Sequence, residues 1–283
     1  MCGIAGFIAR NAGQVVPRDV AASMAATLAH RGPDDAGLWE DPAAGVALSH
    51  RRLSIIDTSA GGHQPMTSRS GRYTITYNGE IYNYRELKGE LAGSGAEFGT
   101  QSDTEVLLAA IEEWGLPEAI SRLVGMFAFG VWDRRERVLW LARDRAGEKP
   151  LYYGSLTAGF AFASELKAMR KVPGFSGAID RNALGRYLER AYVPAPYSIF
   201  KSVRKLPPGH YAVVQTQEGR PALVRVSAYW ALSNCPDLNA SLSYEEARRH
   251  AEALLDAAVR GQLVSDVPIG AFLSGGIDST AVV

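Results

Sequence analysis

Cys2 follows the initiator methionine directly, and its small side chain allows Met1 to be removed. Removal leaves Cys2 with a free α-amine, whose reference pKa of about 7.7–8.0 suits a general base near neutral pH. The thiol, with a reference pKa of about 8.5, is the stronger nucleophile once it loses its proton. One residue could therefore supply both nucleophile and base. Cys2 alone does not exclude the alternative interpretation, a small apolar residue at the start of a strand.

Asn78 and Gly79 are candidate partners of such a nucleophile, because acyl transfer needs N–H donors that stabilise an oxyanion. They follow a predicted strand, Tyr73 to Tyr77. The Asn78 amide can donate, and a glycine lets the backbone come close to a substrate. A simple Asn-Gly turn is the alternative interpretation.

Arg52 and Asp103 carry the charges that a free amino acid substrate would need. A guanidinium can hold an α-carboxylate with two parallel hydrogen bonds, and a carboxylate can pair with an α-ammonium. The alternatives are a surface arginine and an aspartate that caps a helix. Capping and ligand binding could coexist at Asp103.

A glycine-rich segment near the end of the chain could bind phosphate. It lies between a predicted apolar strand, Pro268 to Leu273, and the start of a helix. Backbone N–H groups of such loops can surround phosphate oxygens, and a carboxylate beside phosphate implies a bridging Mg²⁺. A plain Gly-Gly turn is the alternative. We call this segment the glycine loop, and its residues are Ser274, Gly275, Gly276, Ile277, Asp278 and Ser279.

The elements that position these residues follow from hydrophobic periodicity and capping signals. The helices are predicted over 18–29, Thr104–Trp114 and from the Ser243 capping box to about Leu263. The strands are predicted at Ile4–Ile8, Gly45–Ser49, Tyr73–Tyr77, Met126–Trp132, Val138–Ala142, Leu151–Tyr153, Phe160–Ala163 and Tyr211–Val214. This order predicts an α/β (α+β) chain in which a sandwich of sheets covered by helices precedes the opening of an α/β domain.

Composition narrows the classes of protein. The 283 residues suggest about two domains, and the net charge of zero gives no support to a nucleic-acid or membrane-surface partner. No apolar run approaches the roughly 20 residues of a membrane helix. The N-terminus does not have the pattern of a signal peptide, so a cytoplasmic location and no disulfide between Cys2 and Cys235 are expected.

The segment from Met1 to Phe7 resembles the start of class II glutamine amidotransferases, which are N-terminal nucleophile hydrolases. Further segments match in order, at His30–Asp34, Arg52–Ile56, Asn78–Asn83, Ser102–Asp103, Arg143–Arg145, Gly147–Tyr153 and Phe162–Glu165. The resemblance implies a four-layered α/β/β/α sandwich over residues 2–212. It also implies Cys2 as the nucleophile and an oxyanion hole formed by Asn78 and Gly79.

The same resemblance implies which residues bind glutamine. The implied pocket consists of Arg52, Leu53, Ser54, Ile55, Ile56, Asn78, Gly79, Glu80 and Asp103. It leaves the role of His30 open between a structural hydrogen bond and catalysis.

The glycine loop resembles the pyrophosphate loop of N-type ATP pyrophosphatases, and Ser265 to Gly270 resembles the entry to that loop in glutamine-dependent asparagine synthetases. This implies that ATP contacts Leu273 and the whole glycine loop, with Asp278 as a Mg²⁺ ligand. It implies a connecting segment at 213–240 and the first piece of a synthetase domain at 241–283. Four residues after the loop are too few for a full helix, so this domain is expected to be cut short.

Together the two resemblances imply that glutamine hydrolysis supplies ammonia to a β-aspartyl adenylate made from aspartate and ATP. The expected partners are glutamine, aspartate and ATP, with no tightly bound prosthetic group; a homodimer is one oligomeric state that the sequence allows. Three alternatives stay open. The acceptor could be another carboxylate, on a sugar or peptide; the chain could be an adenylating cyclase with an inactive glutaminase domain; or it could bind glutamine without turnover.

Overall fold

The computed structural model describes residues 1–10, 15–217, 220–234 and 242–283. Its strands are β1 (Gly3–Ala9), β2 (Asp35–Asp41), β3 (Val46–Arg52), β4 (Met66–Thr67), β5 (Tyr73–Ile81), β6 (Gly125–Asp133), β7 (Val138–Arg143), β8 (Tyr152–Leu156), β9 (Gly159–Ala163), β10 (Arg204–Lys205), β11 (His210–Gln217) and β12 (Arg220–Ala228). Its α-helices are α1 (Pro17–Ala26), α2 (Tyr84–Gly93), α3 (Asp103–Trp114), α4 (Leu116–Arg122), α5 (Leu166–Met169), α6 (Arg181–Arg190), α7 (Tyr244–Gln262) and α8 (Ile277–Val282).

The strands form two six-stranded antiparallel sheets. The first has the order β10-β8-β9-β1-β3-β2, and the second has the order β12-β11-β7-β6-β5-β4. The second sheet includes the hairpin of β11 and β12, so it continues to Ala228.

Three apolar clusters fill the spaces between four layers. Ile4 and Ile8 on β1 meet Trp132 of the second sheet in the cluster between the sheets. Because side chains alternate along a strand, Phe7 faces the opposite side and packs with α1 and α5. The third cluster joins the outer face of the second sheet to α2, α3 and α4. The predicted α/β/β/α sandwich is therefore confirmed.

Most of the predicted elements are present. The helices α1 and α3, the strand β1 and the β6–β7 hairpin occur where the periodicity predicts them. Ser243 caps α7 as predicted, because its side chain and that of Glu246 each accept a hydrogen bond from the other's backbone N–H.

Two interpretations from the sequence are wrong. Asn78 and Gly79 do not form a turn, since β5 runs through both and pairs them with Ala128 and Phe127. The apolar segment Pro268–Leu273 is not a strand, and no strand of the described residues pairs with it. A strand needs neighbours to satisfy its backbone, and apolarity alone cannot supply them.

Parts of the predicted connecting segment at 213–240 lie outside the described residues, as does Cys235. Among the helices that the structure describes, none is long and apolar enough to cross a membrane.

Candidate active site

A cavity lies where β1 begins and β5 ends. We call it the Cys2 pocket. Of the predicted site residues, those that line it are Cys2, Arg52, Leu53, Ile55, Ile56, Asn78, Gly79, Glu80 and Asp103. The fold therefore brings together side chains from both sheets and from the first turn of α3.

The Cys2 thiol is held by the backbone of the chain that follows β3. Leu53 N–H donates to Cys2 Sγ at 3.3 Å, and the thiol lies 3.5 Å from the Leu53 carbonyl oxygen. Burial raises the pKa of the thiol, and the hydrogen bond from Leu53 opposes that shift. A thiol with a raised pKa is mostly protonated near neutral pH, so its use as a nucleophile requires a base close by.

The N-terminus places an α-amine in the same pocket as the thiol. The Met1 ammonium lines the same pocket, and burial lowers its pKa. Loss of Met1 would transfer the free amine to Cys2 itself. An amine with a lowered pKa is a larger fraction free base at neutral pH, which is the form that accepts the thiol proton.

The backbone of β5 directs one N–H group into this pocket. Tyr77 N–H donates to Gln64 Oε1 at 2.7 Å and Ile81 N–H to Asp103 Oδ2 at 3.0 Å, so both point away from β6. Backbone N–H directions alternate along an antiparallel strand, and Gly79 lies midway between these two residues. Its N–H therefore points to the same side, toward the Cys2 pocket.

The Asn78 side chain supplies a second N–H donor. Its Nδ2 is buried, and within the part of the chain that the structure describes it has no hydrogen-bond partner. A buried donor without a partner is costly, and such groups need an explanation. A ligand oxygen in the Cys2 pocket would satisfy it.

Gly79 is required by close packing, not by a turn. A Cβ atom there would lie 2.3 Å from the Met126 carbonyl oxygen and 2.8 Å from Phe127 Cα, both backbone atoms of β6. No side chain fits at that distance without moving the strand. The glycine therefore keeps β5 in register beside the pocket.

Asp103 is the buried carboxylate of the pocket. It begins α3, while Ser102 caps the helix by accepting Thr104 N–H, so the N-cap interpretation of Asp103 is wrong. Asp103 Oδ2 accepts Tyr77 Oη–H at 2.7 Å as well as Ile81 N–H. Burial raises the Asp103 pKa to about 6, and these hydrogen bonds oppose the shift.

Arg52 is a buried cation of the pocket, with 6% of its surface exposed. Its guanidinium donates to the carbonyl oxygens of Ser59 (2.8 Å), Ile56 (3.4 Å) and Asp57. No carboxylate of the described residues forms an ion pair with it, and its hydrogen bonds end on backbone carbonyl oxygens, while the Asp35 and Asp57 carboxylates act on it at longer range. A buried cation in that state favours an anionic ligand.

If Asp103 pairs with the α-ammonium of glutamine, as the sequence predicts, its proton uptake makes glutamine binding depend on pH. Above about pH 6 the carboxyl is charged and attracts an ammonium; below it the neutral form does not. We expect the glutamine dissociation constant of a Cys2→Ala variant to rise by up to about tenfold per pH unit as the pH falls below 6. Calorimetry between pH 4.5 and 8 measures it. Asp103→Asn should bind weakly with no such dependence, and an unchanged pH profile in that variant would contradict the assignment.

Ser54 is the predicted residue that the structure does not bring to the Cys2 pocket. Its N–H donates to Asp34 Oδ2 at 2.8 Å, and the residue lines a separate surface depression with Thr58 and His63. Its neighbours Leu53 and Ile55 line the pocket. The sequence motif therefore corresponds to a loop of which only some residues line the pocket.

Lys149 is a site residue that the sequence reasoning missed. It is 6% exposed and lines the Cys2 pocket with Glu80. Burial lowers the Lys149 pKa and raises that of Glu80, while each charge favours the other. Its position in the matched segment Gly147–Tyr153 was the one indication in the sequence that Lys149 belongs to the site. That position by itself suggests no chemical role.

His30 makes a structural contact. Its Nε2 lies 3.0 Å from Glu165 Oε1, the atom that also accepts Arg31 Nη1 at 3.0 Å. Arg31 in turn donates from Nε to the Cys2 carbonyl oxygen at 2.9 Å. Arg31, which shares Glu165 with His30, therefore holds the backbone of Cys2 in place. His30 itself does not line the pocket.

The glycine loop is exposed and lies at the start of α8. Gly275 adopts φ +78°, a conformation that glycine favours, and Ser274 Oγ lies 3.0 Å from Ser279 Oγ. Leu273 and Ile277 are largely exposed beside it. Among the described residues, no group of three or more histidine, cysteine and carboxylate side chains forms a metal site.

Comparison with known proteins agrees with this geometry. Residues 1–230 match the family described as glutamine amidotransferase domain, and residues 250–283 match the family described as asparagine synthase. A Mycobacterium tuberculosis protein (strain ATCC 25618 / H37Rv), named as a putative glutamine-hydrolyzing asparagine synthetase, is 40% identical over 299 residues, which covers 100% of this chain and 45% of that protein. Asparagine synthetase 3 of Bacillus subtilis (strain 168), also named as glutamine-hydrolyzing, is 37% identical, with 100% of this chain and 44% of that protein covered.

The chain thus spans less than half the length of these relatives. Among solved structures, a glutamine phosphoribosylpyrophosphate amidotransferase from B. subtilis superposes with a TM-score of 0.59 at 20% identity, over 81% of this chain and 49% of that one. That likeness concerns the fold. This chain therefore belongs to the glutamine amidotransferase domain family, and the start of an asparagine synthase domain follows in the same chain.

Proposed function

We propose that the Cys2 pocket hydrolyses glutamine to glutamate and ammonia. One observation carries this proposal: the Cys2 thiol shares a cavity with two N–H donors, the unpartnered Asn78 Nδ2 and the Gly79 N–H. That arrangement of nucleophile and donors suits acyl transfer, in which an oxyanion forms beside the nucleophile.

The reaction follows from these groups. The α-amine of Cys2 takes the thiol proton, and the sulfur attacks the carboxamide carbon of glutamine. Asn78 and Gly79 donate hydrogen bonds to the oxyanion of the tetrahedral intermediate. The C–N bond then breaks, and the leaving nitrogen takes the proton from the α-ammonium and departs as ammonia. Water attacks the thioester through a second oxyanion, which releases glutamate and restores the thiol.

The charges in the pocket select a free amino acid. The Arg52 guanidinium forms no ion pair with a carboxylate of the described residues and can bind the α-carboxylate, while Asp103 can bind the α-ammonium. Opposite charges in one cavity complement a zwitterion. Leu53, Ile55, Ile56 and Glu80 complete the walls of this proposed glutamine site.

For the whole protein we propose ATP-dependent asparagine synthesis, in which ammonia amidates a β-aspartyl adenylate. The match of residues 250–283 to asparagine synthase and the names of the relatives support this. ATP would contact Leu273 and the glycine loop. Asp278 fits a Mg²⁺ that takes its other ligands from phosphates and water, where it would neutralise phosphate charge.

We further propose that residues 2–212, together with the β11–β12 hairpin that completes the second sheet, act as the glutaminase, and that the rest of 213–240 connects it to a synthetase portion that begins at 241. Substrates are then glutamine, aspartate and ATP. A homodimer is the oligomeric state that we propose to test by light scattering.

Moving the α-amine away from Cys2 tests the glutaminase proposal. The purified chain should release glutamate from glutamine, and a variant with one extra residue inserted between Met1 and Cys2 should be inactive, because the α-amine then no longer belongs to Cys2. Mass spectrometry confirms the N-terminus of each protein. A parent chain that binds glutamine but releases no glutamate would overturn the proposal, and so would an active insertion variant that retains its extra residue.

A further inference from the structure

The segment that precedes the glycine loop contacts residues 55–57, which lie beside the Cys2 pocket. Asp266 Oδ2 accepts the Asp57 N–H at 2.7 Å, and Asp266 N–H donates to the Ile55 carbonyl oxygen at 2.9 Å. Two hydrogen bonds from one residue thus bracket residues 55–57. Asp266 precedes the glycine loop by only eight positions in the chain.

The chain around Asp266 is anchored on both sides of this contact. Val264 packs against the apolar cluster that contains α3, and Ser265 Oγ accepts Val267 N–H at 3.1 Å and donates to the Val267 carbonyl at 3.0 Å. These contacts form a tight turn that presents the Asp266 carboxylate. The two hydrogen bonds to residues 55–57 are therefore part of a docked segment.

Asp57 has an unfavourable backbone conformation that its hydrogen bonds stabilise. Its φ of +51° lies in the left-handed region, which disfavours residues other than glycine, asparagine and aspartate. Its carboxylate accepts Ser59 N–H at 3.1 Å and Gln101 N–H at 3.0 Å, and Asp266 binds its backbone N–H. The conformation turns the Asp57 carbonyl to the Arg52 guanidinium.

Arg52 depends on this loop for its position, because its hydrogen bonds within the described part of the chain all end on the carbonyl oxygens of Ile56, Asp57 and Ser59. We propose that Asp266 is a positioning residue for the glutamine site: it holds residues 55–57 in the conformation that aims Arg52 at the α-carboxylate. The inference rests on the proposed function. It also connects the synthetase portion of the chain to the glutamine pocket through two hydrogen bonds.

Glutamine affinity in a Cys2→Ala background tests the inference without any need for turnover. We expect Asp266→Ala to raise the glutamine dissociation constant about fivefold to tenfold, as expected for the loss of a hydrogen bond to a charged acceptor. Asp266→Asn keeps an acceptor oxygen and should stay within about twofold of the parent. The matched control is Asp256→Ala, which removes an exposed carboxylate of α7 that bonds Arg260 only.

A second readout separates positioning from general stability. In chains that retain Cys2, Asp266→Ala should raise KM by the same factor and leave kcat unchanged, since it does not touch the thiol or the oxyanion donors. Amide exchange of a peptide that covers residues 55–59 should become faster in this variant, with the melting temperature close to that of the parent.

The possible results distinguish this inference from the proposed function. Parent-like glutamine affinity in Asp266→Ala, or equal losses in the alanine and asparagine variants, would overturn the role of Asp266 and leave the glutaminase intact. A parent that binds glutamine without releasing glutamate would overturn the glutaminase, while the affinities still decide the role of Asp266. A parent that binds no glutamine overturns both.

Discussion

Replacement of Cys2 by alanine is expected to abolish glutamate release while glutamine still binds. The substitution removes the thiol from the pocket, so the thioester cannot form, and turnover should fall by about 10⁴-fold or more. Binding should persist because Arg52 and Asp103, which would hold the two charges of the substrate, are untouched. Coupled detection of glutamate measures turnover, and calorimetry measures binding.

Cys235 provides the matched control, as the one other cysteine of the chain. Cys235→Ala should keep the parent's turnover. A thiol-directed glutamine analogue that carries an electrophilic carbon should add one equivalent of mass to the parent and to Cys235→Ala, and none to Cys2→Ala. Retention of a tenth of the parent's turnover by Cys2→Ala would show that another group is the nucleophile.

The sequence predicted which residues line the Cys2 pocket better than it predicted how the strands place them. The Asn78-Gly79 pair was predicted as oxyanion donors, but its placement after a strand was wrong. Both residues lie inside β5, and the strand's alternation is what aims the Gly79 N–H at the pocket. No local pattern shows this, because it depends on Gln64 and Asp103, which come from other parts of the chain.

The buried charges show a similar limit. Arg52 and Asp103 were predicted as ligands from charge alone, whereas the raised pKa of Asp103 arises from burial against Tyr77 and α3. Lys149 has no periodic or chemical signal that separates it from a surface lysine. Burial of a charged side chain depends on how the layers of the fold pack together. The residues next to it in the sequence do not indicate it.

Elements on the surface were also hard to predict. The strand β12 alternates weakly and is mostly exposed, and β2 carries acidic residues at its end, so neither shows an apolar period of two. The opposite error occurred at Pro268–Leu273, which was predicted as a strand because it is apolar but pairs with no strand of the described residues. Periodicity thus predicted the central strands well, because those strands bury one face or both.

Removal of the Asn78 side chain is expected to reduce kcat by about 10² to 10³, as found for the loss of one oxyanion-hole donor. The donor acts on charge that develops in the transition state, so KM should change little. The Gly79 N–H remains in Asn78→Ala, which is why some turnover should survive, in contrast to Cys2→Ala. Steady-state kinetics on the two variants side by side measure this difference.

Asn83→Ala is the matched control for Asn78→Ala. Asn83 belongs to the same sequence motif, but its amide bonds the Arg122 carbonyl and the Val124 N–H, away from the pocket. Its loss should lower the melting temperature and keep kcat. Asn78 Nδ2 bonds no described group, so Asn78→Ala breaks no hydrogen bond from this nitrogen and should lower kcat at nearly constant stability. If Asn78→Ala instead lost stability and kept kcat, the unpartnered amide would be a structural group, and the oxyanion would rest on the Gly79 N–H alone.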